Sequence, residues 1–246
     1  ARCERCGGGG VSDPSENNPY RHDHKSVGRA VDFDDALSWL PTFGDQVARA
    51  IIFDPPYAVG SPVRGREDGA AGSVFGPLSF MSRTLRECHR ILVPGGIVAV
   101  FADWRRMPDL LYVASTVGLR PSTQVAWVRK RPGTGGLLRS AWDPITIVSR
   151  GVPDAIDRAA IRNVVETEDV VDVVEADYPS KRVHPYEKPE AIYRHILGRV
   201  VRPGDLVLDP FSGSGNSRPA AEALGAVWRG CDIDPAFALP TPHGPQ

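Results

Sequence analysis

The segment Asp54-Pro55-Pro56-Tyr57 ends an apolar run and combines groups that could hold a planar amine. Proline cannot donate a backbone hydrogen bond, so two consecutive prolines end the strand and stiffen the turn. The groups left to meet a ligand are acceptors, the Asp54 carboxylate and the Pro55 carbonyl, beside a tyrosine ring on which a base can stack. A helix-capping aspartate is the alternative, but it would not explain Pro-Pro-Tyr. The pattern favours a ligand with an exocyclic amino group.

A second segment with chemical potential lies near the C-terminal end, where the apolar run LVL leads into Asp209 and the turn Phe211-Ser-Gly-Ser-Gly215. Gly213 and Gly215 tolerate positive φ and let a ligand approach the backbone at a strand–turn–helix junction. The spacing is neither G-x-G-x-x-G nor G-x-x-x-x-G-K-[ST], which argues against dinucleotide and triphosphate sites. About 17 residues later Asp232 ends another apolar run and could hold both ribose hydroxyls of a nucleoside. An ordinary βαβ turn with a solvated acid is the alternative.

The elements that must position these segments follow from the hydrophobic pattern. Apolar runs before both aspartates are typical of strands buried on two faces, and amphipathic helices alternate with them. Strands are predicted in RAVDF, VARAIIF, IVAVFADW, STQVAWVRK, AWDPITIVSRG, DLVLD and AVWRGCDID, and helices in DDALSWL, LSFMSRTLRECHRIL, DLLYVASTVG, KPEAIYRHILGRVV and RPAAEALG. VPGG should separate the longest helix from the next strand, and Pro189 should lie in a first helical turn. The alternation predicts an α/β fold with a doubly wound, mostly parallel sheet.

Length and composition limit the class of protein. A chain of 246 residues with 41% hydrophobic content can build one sizeable core, and the net charge of −1 leaves any nucleic-acid surface to a local patch. No apolar run approaches the roughly 18 residues of a membrane span. Four cysteines fit a reduced, intracellular protein better than a disulfide scaffold, so we expect a cytoplasmic location. We expect a flexible leader (1–28), a single domain with small insertions (29–240) and a tail (241–246).

D-P-P-Y followed much later by F-S-G-S-G resembles the beta group of DNA amino-methyltransferases, with its permuted motif order. HPYEKP at 184–189, RILVPGGIVAVFADW and DDALSWL are similar to further segments of that family, and the resemblance spans roughly residues 29–237. It implies a Rossmann-like fold that transfers a methyl group from S-adenosylmethionine to an exocyclic amine of double-stranded DNA. Aspartate at the first motif position leans toward adenine N6. Cytosine N4 transfer and a non-catalytic nucleic-acid-binding relic are the alternatives.

The resemblance also implies roles for single residues. The catalytic residues would be Asp54, Pro55, Pro56 and Tyr57. The cofactor-binding residues would be Asp35, Lys188, Asp209, Phe211, Ser212, Gly213, Ser214, Gly215 and Asp232. Acceptors at Asp54 and Pro55 would localise the amine lone pair and stabilise the positive charge that develops on methylation. A base inside a duplex cannot reach such a site, so it must be flipped out, with Tyr57 replacing the lost stacking.

Contacts with DNA and metal are predicted from local clusters. Arg129, Lys130, Arg131 and Arg139 surround a glycine-rich loop and could contact phosphates, although a solvated charged face is the alternative. Residues 140–183 occupy the family's target-recognition position but are short and acidic. Cys3, Cys6, His22 and His24 have the ligand types of a zinc site, but His-x-His is too closely spaced for an ordinary finger, so we expect no metal. A homodimer and a restriction partner are both compatible with this interpretation.

Overall fold

The computed structural model describes residues 31–55, 78–128, 142–156, 173–175, 188–213 and 215–234, and every structural statement below concerns these ranges. The leader with Cys3, Cys6, His22 and His24 and the C-terminal tail lie outside them, so the predicted absence of a metal site there stays a prediction. Within the described ranges no helix is both long and apolar enough to cross a bilayer.

The strands in the described ranges are β1 (Val31–Phe33), β2 (Ala48–Phe53), β3 (Leu92–Phe101), β4 (Arg120–Val128), β5 (Trp142–Ser149), β6 (Val173–Glu175), β7 (Leu206–Asp209) and β8 (Val227–Asp232). They form one mixed sheet in the order β1-β8-β7-β2-β3-β5-β4-β6. Strand β5 runs antiparallel to β3 and β4, and the other neighbouring pairs of these strands are parallel. The predicted mostly parallel sheet is therefore confirmed.

The helices lie on both faces of this sheet and match the predicted segments. They are α1 (Ala36–Trp39), α2 (Leu78–Ile91), α3 (Met107–Thr116), α4 (Glu190–Leu197) and α5 (Ser217–Ala223), with 3-10 turns at Leu40–Thr42 and Trp104–Arg106. Asp35 caps α1, because its carboxylate accepts a hydrogen bond of 2.8 Å from the backbone N–H of Leu37. Pro189 is the N-cap of α4 rather than a residue of its first turn.

The segment VPGG does not separate α2 from β3 as predicted, since β3 begins at Leu92 and includes Pro94, Gly95 and Gly96. The register with β2 shifts here, from Ala48 opposite Leu92 to Ala50 opposite Ile97, which absorbs the extra residues as a bulge. Gly95 has φ +79°, a value that glycine adopts without a steric penalty. The prolyl-glycyl-glycine sequence thus bends the strand at its start.

Two apolar cores sandwich the sheet, one on each face, and alternate residues of β2 belong to different cores. Ile51 and Phe53 pack into the core that holds α2, whereas Ile52 packs into the core that holds α4 and α5. Every residue of β2 is buried. This two-sided burial is the reason that the strand has a continuous apolar sequence instead of an alternating one.

Strand β2 comes early in the chain and β7 comes late, yet they pair in parallel, with Ile51 opposite Leu208. Strand β8 pairs with the other side of β7 in parallel, with Asp209 opposite Gly230. The carboxyl ends of parallel strands share one edge of a sheet. We call the end of the sheet that carries Asp54, Asp209 and Asp232 the carboxyl edge.

Candidate functional site

The carboxyl edge gathers three of the predicted site residues on neighbouring strands. Asp54 directly follows β2, and Asp209 and Asp232 are the last residues of β7 and β8. Their charges influence one another, because the carboxylates of Asp54 and Asp232 both help to raise the pKa of Asp209. Ligands of open α/β sheets bind outside the carboxyl ends of such strands. The structure therefore brings three of the predicted site residues together at one edge of the sheet.

The glycine turn, residues 210–215, is connected to β8 by hydrogen bonds that its backbone N–H groups donate. The N–H of Ser212 donates to the carbonyl of Cys231 at 3.0 Å, and the N–H of Gly213 donates to the Asp232 carboxylate at 2.8 Å. Gly213 and Gly215 have φ values of +48° and +77°. The turn needs glycine at these positions because other residues rarely adopt such angles.

Gly230, which sequence reasoning missed, allows β8 to approach this turn. A Cβ atom at Gly230 would lie 2.3 Å from the Trp228 ring and 2.9 Å from the Cβ of Ser212. Contacts of that length do not occur, so the Trp228 ring and the turn at Ser212 would both have to move. The available signal was a glycine inside a strand, which often marks close approach of another backbone.

Asp209 lies beneath the glycine turn and is almost completely buried. The Ser217 hydroxyl donates to its Oδ2, and the Phe211 N–H donates to its Oδ1 at 3.2 Å. The Trp228 Nε1 donates in turn to the Ser217 hydroxyl at 2.9 Å. These bonds connect β7, the turn, α5 and β8. Sequence reasoning missed Ser217 and Trp228 because neither belongs to a recognised motif.

Burial is the main cause that raises the pKa of Asp209 from 3.8 to about 7. The hydrogen bonds from Ser217 and Phe211 oppose this rise, and the negative charges of Asp54 and Asp232 add to it. Asp209 therefore gains or loses a proton near neutral pH. Its cofactor-binding role stays a prediction, and the observed contacts favour an indirect one, in which it shapes the turn.

Asp54 forms an ion pair with Lys188, whose Nζ lies 2.5 Å from the Asp54 Oδ2. The ammonium also lies 5.4 Å from the centre of the Phe101 ring at the end of β3. The Lys188 carbonyl accepts a hydrogen bond of 3.0 Å from the Asn216 side chain, directly after the glycine turn. The resemblance implied that Lys188 belongs to the cofactor pocket, and its contact with Asp54 was not foreseen.

Phe211 joins the glycine turn to β2 through aromatic packing. Its ring meets Phe53 edge to face, with centroids 5.2 Å apart, and Phe80 of α2 at 6.3 Å. Edge-to-face pairs at such distances add stabilisation beyond their buried area. The predicted cofactor turn and the strand before Asp54 are thus one packed unit.

The remaining acids lie farther along the same edge, where β1 pairs with β8. Asp232 accepts hydrogen bonds from the N–H groups of Gly213 and, at 2.9 Å, Asp234. The N–H of Asp34 donates to the Asp232 carbonyl at 3.2 Å, which brings the exposed Asp35 to the side of β8. Two of the predicted cofactor acids therefore lie near each other in the fold, because Asp35 follows β1 and Asp232 ends the neighbouring β8.

Other predicted site residues are partly outside the described ranges. Pro55 is described and buried, whereas Pro56, Tyr57 and Ser214 are not described, nor are Arg129, Lys130, Arg131 and Arg139. The described part of the chain has no cluster of three or more His, Cys, Asp or Glu side chains that could hold a metal ion. Cys88 and Cys231 are free thiols whose pKa is raised by burial.

Comparison with known proteins identifies the family and the fold of this chain. Residues 48–239 match the model of a family described as DNA methylase. The DNA adenine methyltransferase YhdJ of Escherichia coli (strain K12) is 25% identical to this chain over 236 residues, which cover 82% of this chain and 78% of the relative.

Two solved structures have a similar fold. The PvuII DNA methyltransferase, described as cytosine-N4-specific, aligns with a TM-score of 0.68 at 14% identity, covering 84% of this chain and 82% of that one. The complex of M1.HpyAVI with S-adenosylmethionine aligns with a TM-score of 0.61 at 15% identity, covering 85% and 94%. At these identities the structural likeness establishes the Rossmann-like methyltransferase fold.

Proposed function

Because this chain belongs to the N6/N4 DNA methylase family, we propose that it transfers the methyl group of S-adenosylmethionine to N6 of adenine in double-stranded DNA. The family establishes the broader class, a DNA amino-methyltransferase that uses S-adenosylmethionine. The choice of adenine is the proposal. The proposal is supported by Asp54, the acid that directly follows β2. The contact between Phe53 and Phe211 holds this acid beside the glycine turn.

The chemistry of the carboxyl edge fits this cofactor. Asp232 ends the strand next to the glycine turn, where a carboxylate can accept hydrogen bonds from ribose hydroxyls. When bound, S-adenosylmethionine supplies an electrophilic methyl group on a positively charged sulfur. The acids at this edge provide the negative potential that favours such a cation. We therefore assign the ribose contact to Asp232 and the close backbone approach to Gly213 and Gly215.

The target amine would meet Asp54 and the carbonyl of Pro55. Both are acceptors, so they would draw the amino hydrogens toward a tetrahedral arrangement and localise the nitrogen lone pair for attack on the methyl carbon. The electron pair of the broken C–S bond would stay on sulfur, and the amine would lose one proton during or after the attack. The carboxylate also stabilises the positive charge that develops on that nitrogen. Holding both reactants in line supplies much of the remaining acceleration. Tyr57 would stack on the flipped base, and the basic cluster Arg129–Arg131 with Arg139 would contact phosphates.

Adenine is preferred to cytosine because an aspartate precedes Pro-Pro-Tyr and because the relative YhdJ is described as an adenine methyltransferase. Cytosine N4 is the alternative, since the same acceptors could hold either exocyclic amine. The test is methylation of unmodified plasmid DNA, followed by digestion to nucleosides and mass spectrometry. N6-methyl-2′-deoxyadenosine is expected. N4-methyl-2′-deoxycytidine would replace the adenine proposal, and no methylation despite cofactor binding would favour a non-catalytic relic.

Removing the acid tests its role directly. Asp54→Ala should lower methyl transfer by two or more powers of ten, roughly 3 kcal/mol or more of transition-state stabilisation. Affinity for S-adenosylmethionine, measured by calorimetry, should stay within about three-fold because the glycine turn and Asp232 are unchanged. Asp45→Ala is the matched control, an exposed acid on the segment before β2. An Asp54→Ala protein with normal activity would refute the mechanism.

A further inference from the structure

Lys188 is held in one place by several elements. Its side chain is about 10% exposed and that of Asp54 about 16%, and their Nζ–Oδ2 distance of 2.5 Å is at the short limit for a charged hydrogen bond. The Phe101 ring lies under the ammonium, which gains a cation–π attraction. Pro189 follows directly as the N-cap of α4, and its ring restricts the backbone. The lysine is therefore part of a built site rather than a mobile surface cation.

Asn216 connects this lysine to the glycine turn. The Asn216 side-chain amide donates to the Lys188 carbonyl at 3.0 Å, although the two residues are 28 positions apart. Asn216 directly follows Gly215, whose N–H is bonded to the Ser212 carbonyl at 2.7 Å. A continuous set of contacts therefore leads from the glycine turn through Asn216 and Lys188 to Asp54. The last of these contacts, the Lys188–Asp54 ion pair, joins residues that are 134 positions apart in the sequence.

We propose that Lys188 is a positioning residue for the target-base acid and that Asn216 couples its position to the cofactor turn. This inference rests on the proposed function. A carboxylate can accept about four hydrogen bonds, so the lysine and an incoming amine can share Asp54. The ammonium fixes the direction of the carboxylate and balances its charge next to the buried Asp209. Any shift of the glycine turn on cofactor binding is transmitted to Asp54 through Asn216.

The test compares single-turnover methyl transfer with cofactor affinity, using plasmid DNA that the wild-type protein methylates. Lys188→Met should lower the rate at saturating cofactor by roughly 10- to 100-fold, less than the loss of Asp54 itself. Its dissociation constant for S-adenosylmethionine should change by no more than about three-fold. Lys188→Arg keeps the charge and should recover part of the rate. Asn216→Ala keeps the lysine and should lose up to about 10-fold.

A cofactor-pocket lysine would behave in the opposite way. Lys188→Met would then weaken cofactor binding by 10-fold or more, about 1.4 kcal/mol, and leave the rate at saturating cofactor unchanged, which would overturn the proposal. A double-mutant cycle gives a second criterion. If Lys188 acts through Asp54, then Asp54→Asn combined with Lys188→Met should be no slower than Asp54→Asn alone, and multiplied effects would contradict the coupling.

These outcomes separate the inference from the function on which it rests. If the wild-type protein methylates no DNA, the proposed function fails before any variant is compared. If the wild type is active and Lys188→Met retains its rate, only the positioning role fails. Should Lys188→Met not fold, as judged by its thermal midpoint and cofactor binding, Lys188→Arg and Asn216→Ala decide, and wild-type rates in both would refute the proposal.

Discussion

In the described part of the chain, acidic side chains are paired with arginines at one end of the central strands and are partly without ion pairs at the other. At the amino end of β2, the nearly buried Arg49 lies 3.3 Å from Asp154 and 3.5 Å from Asp205, and Arg202 also pairs with Asp154. At the carboxyl edge, Asp54 pairs with Lys188, while no ion pair is found for Asp209 or Asp232 among the described residues. One end is balanced by the protein's own side chains, and the other keeps an excess of acid.

The difference indicates where the protein needs a ligand. Burial is the main cause of the raised pKa of Asp209, and repulsion by the negative charges of Asp54 and Asp232 on neighbouring strands adds to it. A site that receives a positively charged sulfur and then a methylated amine gains from this negative potential. At the amino end, the acids Asp154 and Asp205 are paired with arginines of the same chain. The proposed function therefore uses the edge with the excess of acid, and the ion pairs at the other edge contribute to stability.

Asp209→Asn should change the pH dependence of stability most. Between about pH 4 and 7 the folded protein keeps a proton on Asp209 that the unfolded chain has released, because the folded pKa is about 7. The unfolding free energy should therefore fall as pH rises through this window, by roughly 4 kcal/mol in all. The variant lacks this titration and should show a flatter profile in urea unfolding at pH 5 to 8.

Asp45→Asn is the control for this experiment, since Asp45 is exposed and remote from the carboxyl edge. It should keep the wild-type slope. A wild-type slope in Asp209→Asn as well would mean that Asp209 is already ionised at low pH. Burial and the neighbouring acids would then not raise the pKa of Asp209, and the contrast between the two edges would be lost.

Arg49→Ala should produce the next largest effect, at the amino end. The substitution leaves the buried Asp205 without its cation, which should lower the unfolding free energy by roughly 3 kcal/mol. This value is at the low end for a buried ion pair, because the second partner of Arg49, Asp154, is 46% exposed. Cofactor affinity of the folded protein should not change. Arg202→Ala is the matched control, because its side chain is 42% exposed and its pair should contribute about 1 kcal/mol or less.

Chemical denaturation and calorimetry of both arginine variants would measure these quantities. If Arg49→Ala kept its stability but lost cofactor affinity, the separation of roles between the two edges would be wrong. Equal losses in Arg49→Ala and Arg202→Ala would show that burial does not decide the strength of these pairs.

Asp232→Ala should have the smallest effect of the three, confined to the cofactor. Loss of the carboxylate leaves ribose hydroxyls and the Gly213 N–H without a partner, so affinity for S-adenosylmethionine should weaken by about 1–3 kcal/mol. Asp234→Ala is the control, an exposed acid two residues later whose N–H donates to Asp232. Calorimetry that finds Asp234→Ala weakened and Asp232→Ala unchanged would move the ribose contact to Asp234.

Much of this fold could be predicted from local sequence patterns. The apolar run before Asp54 forms β2, and LSFMSRTLRECHRI forms α2, because burial on one or two faces sets the period of apolar residues. The start of β3 was placed too late, since a proline followed by two glycines normally ends regular structure. Here the shift in register with β2 accommodates them within the strand.

The sequence by itself determined which acids end apolar strands and which glycines form the turn, because backbone preferences and burial act over a few neighbouring residues. It also determined the family, through two motifs that are specific only in combination. The tertiary structure alone decided that Lys188 meets Asp54, that Trp228 supports Asp209 through Ser217, and that Gly230 makes room for the turn. These contacts depend on which strands become neighbours and on their register. Hydrophobic periodicity reports which face of a strand is buried, but not which distant side chain is opposite it.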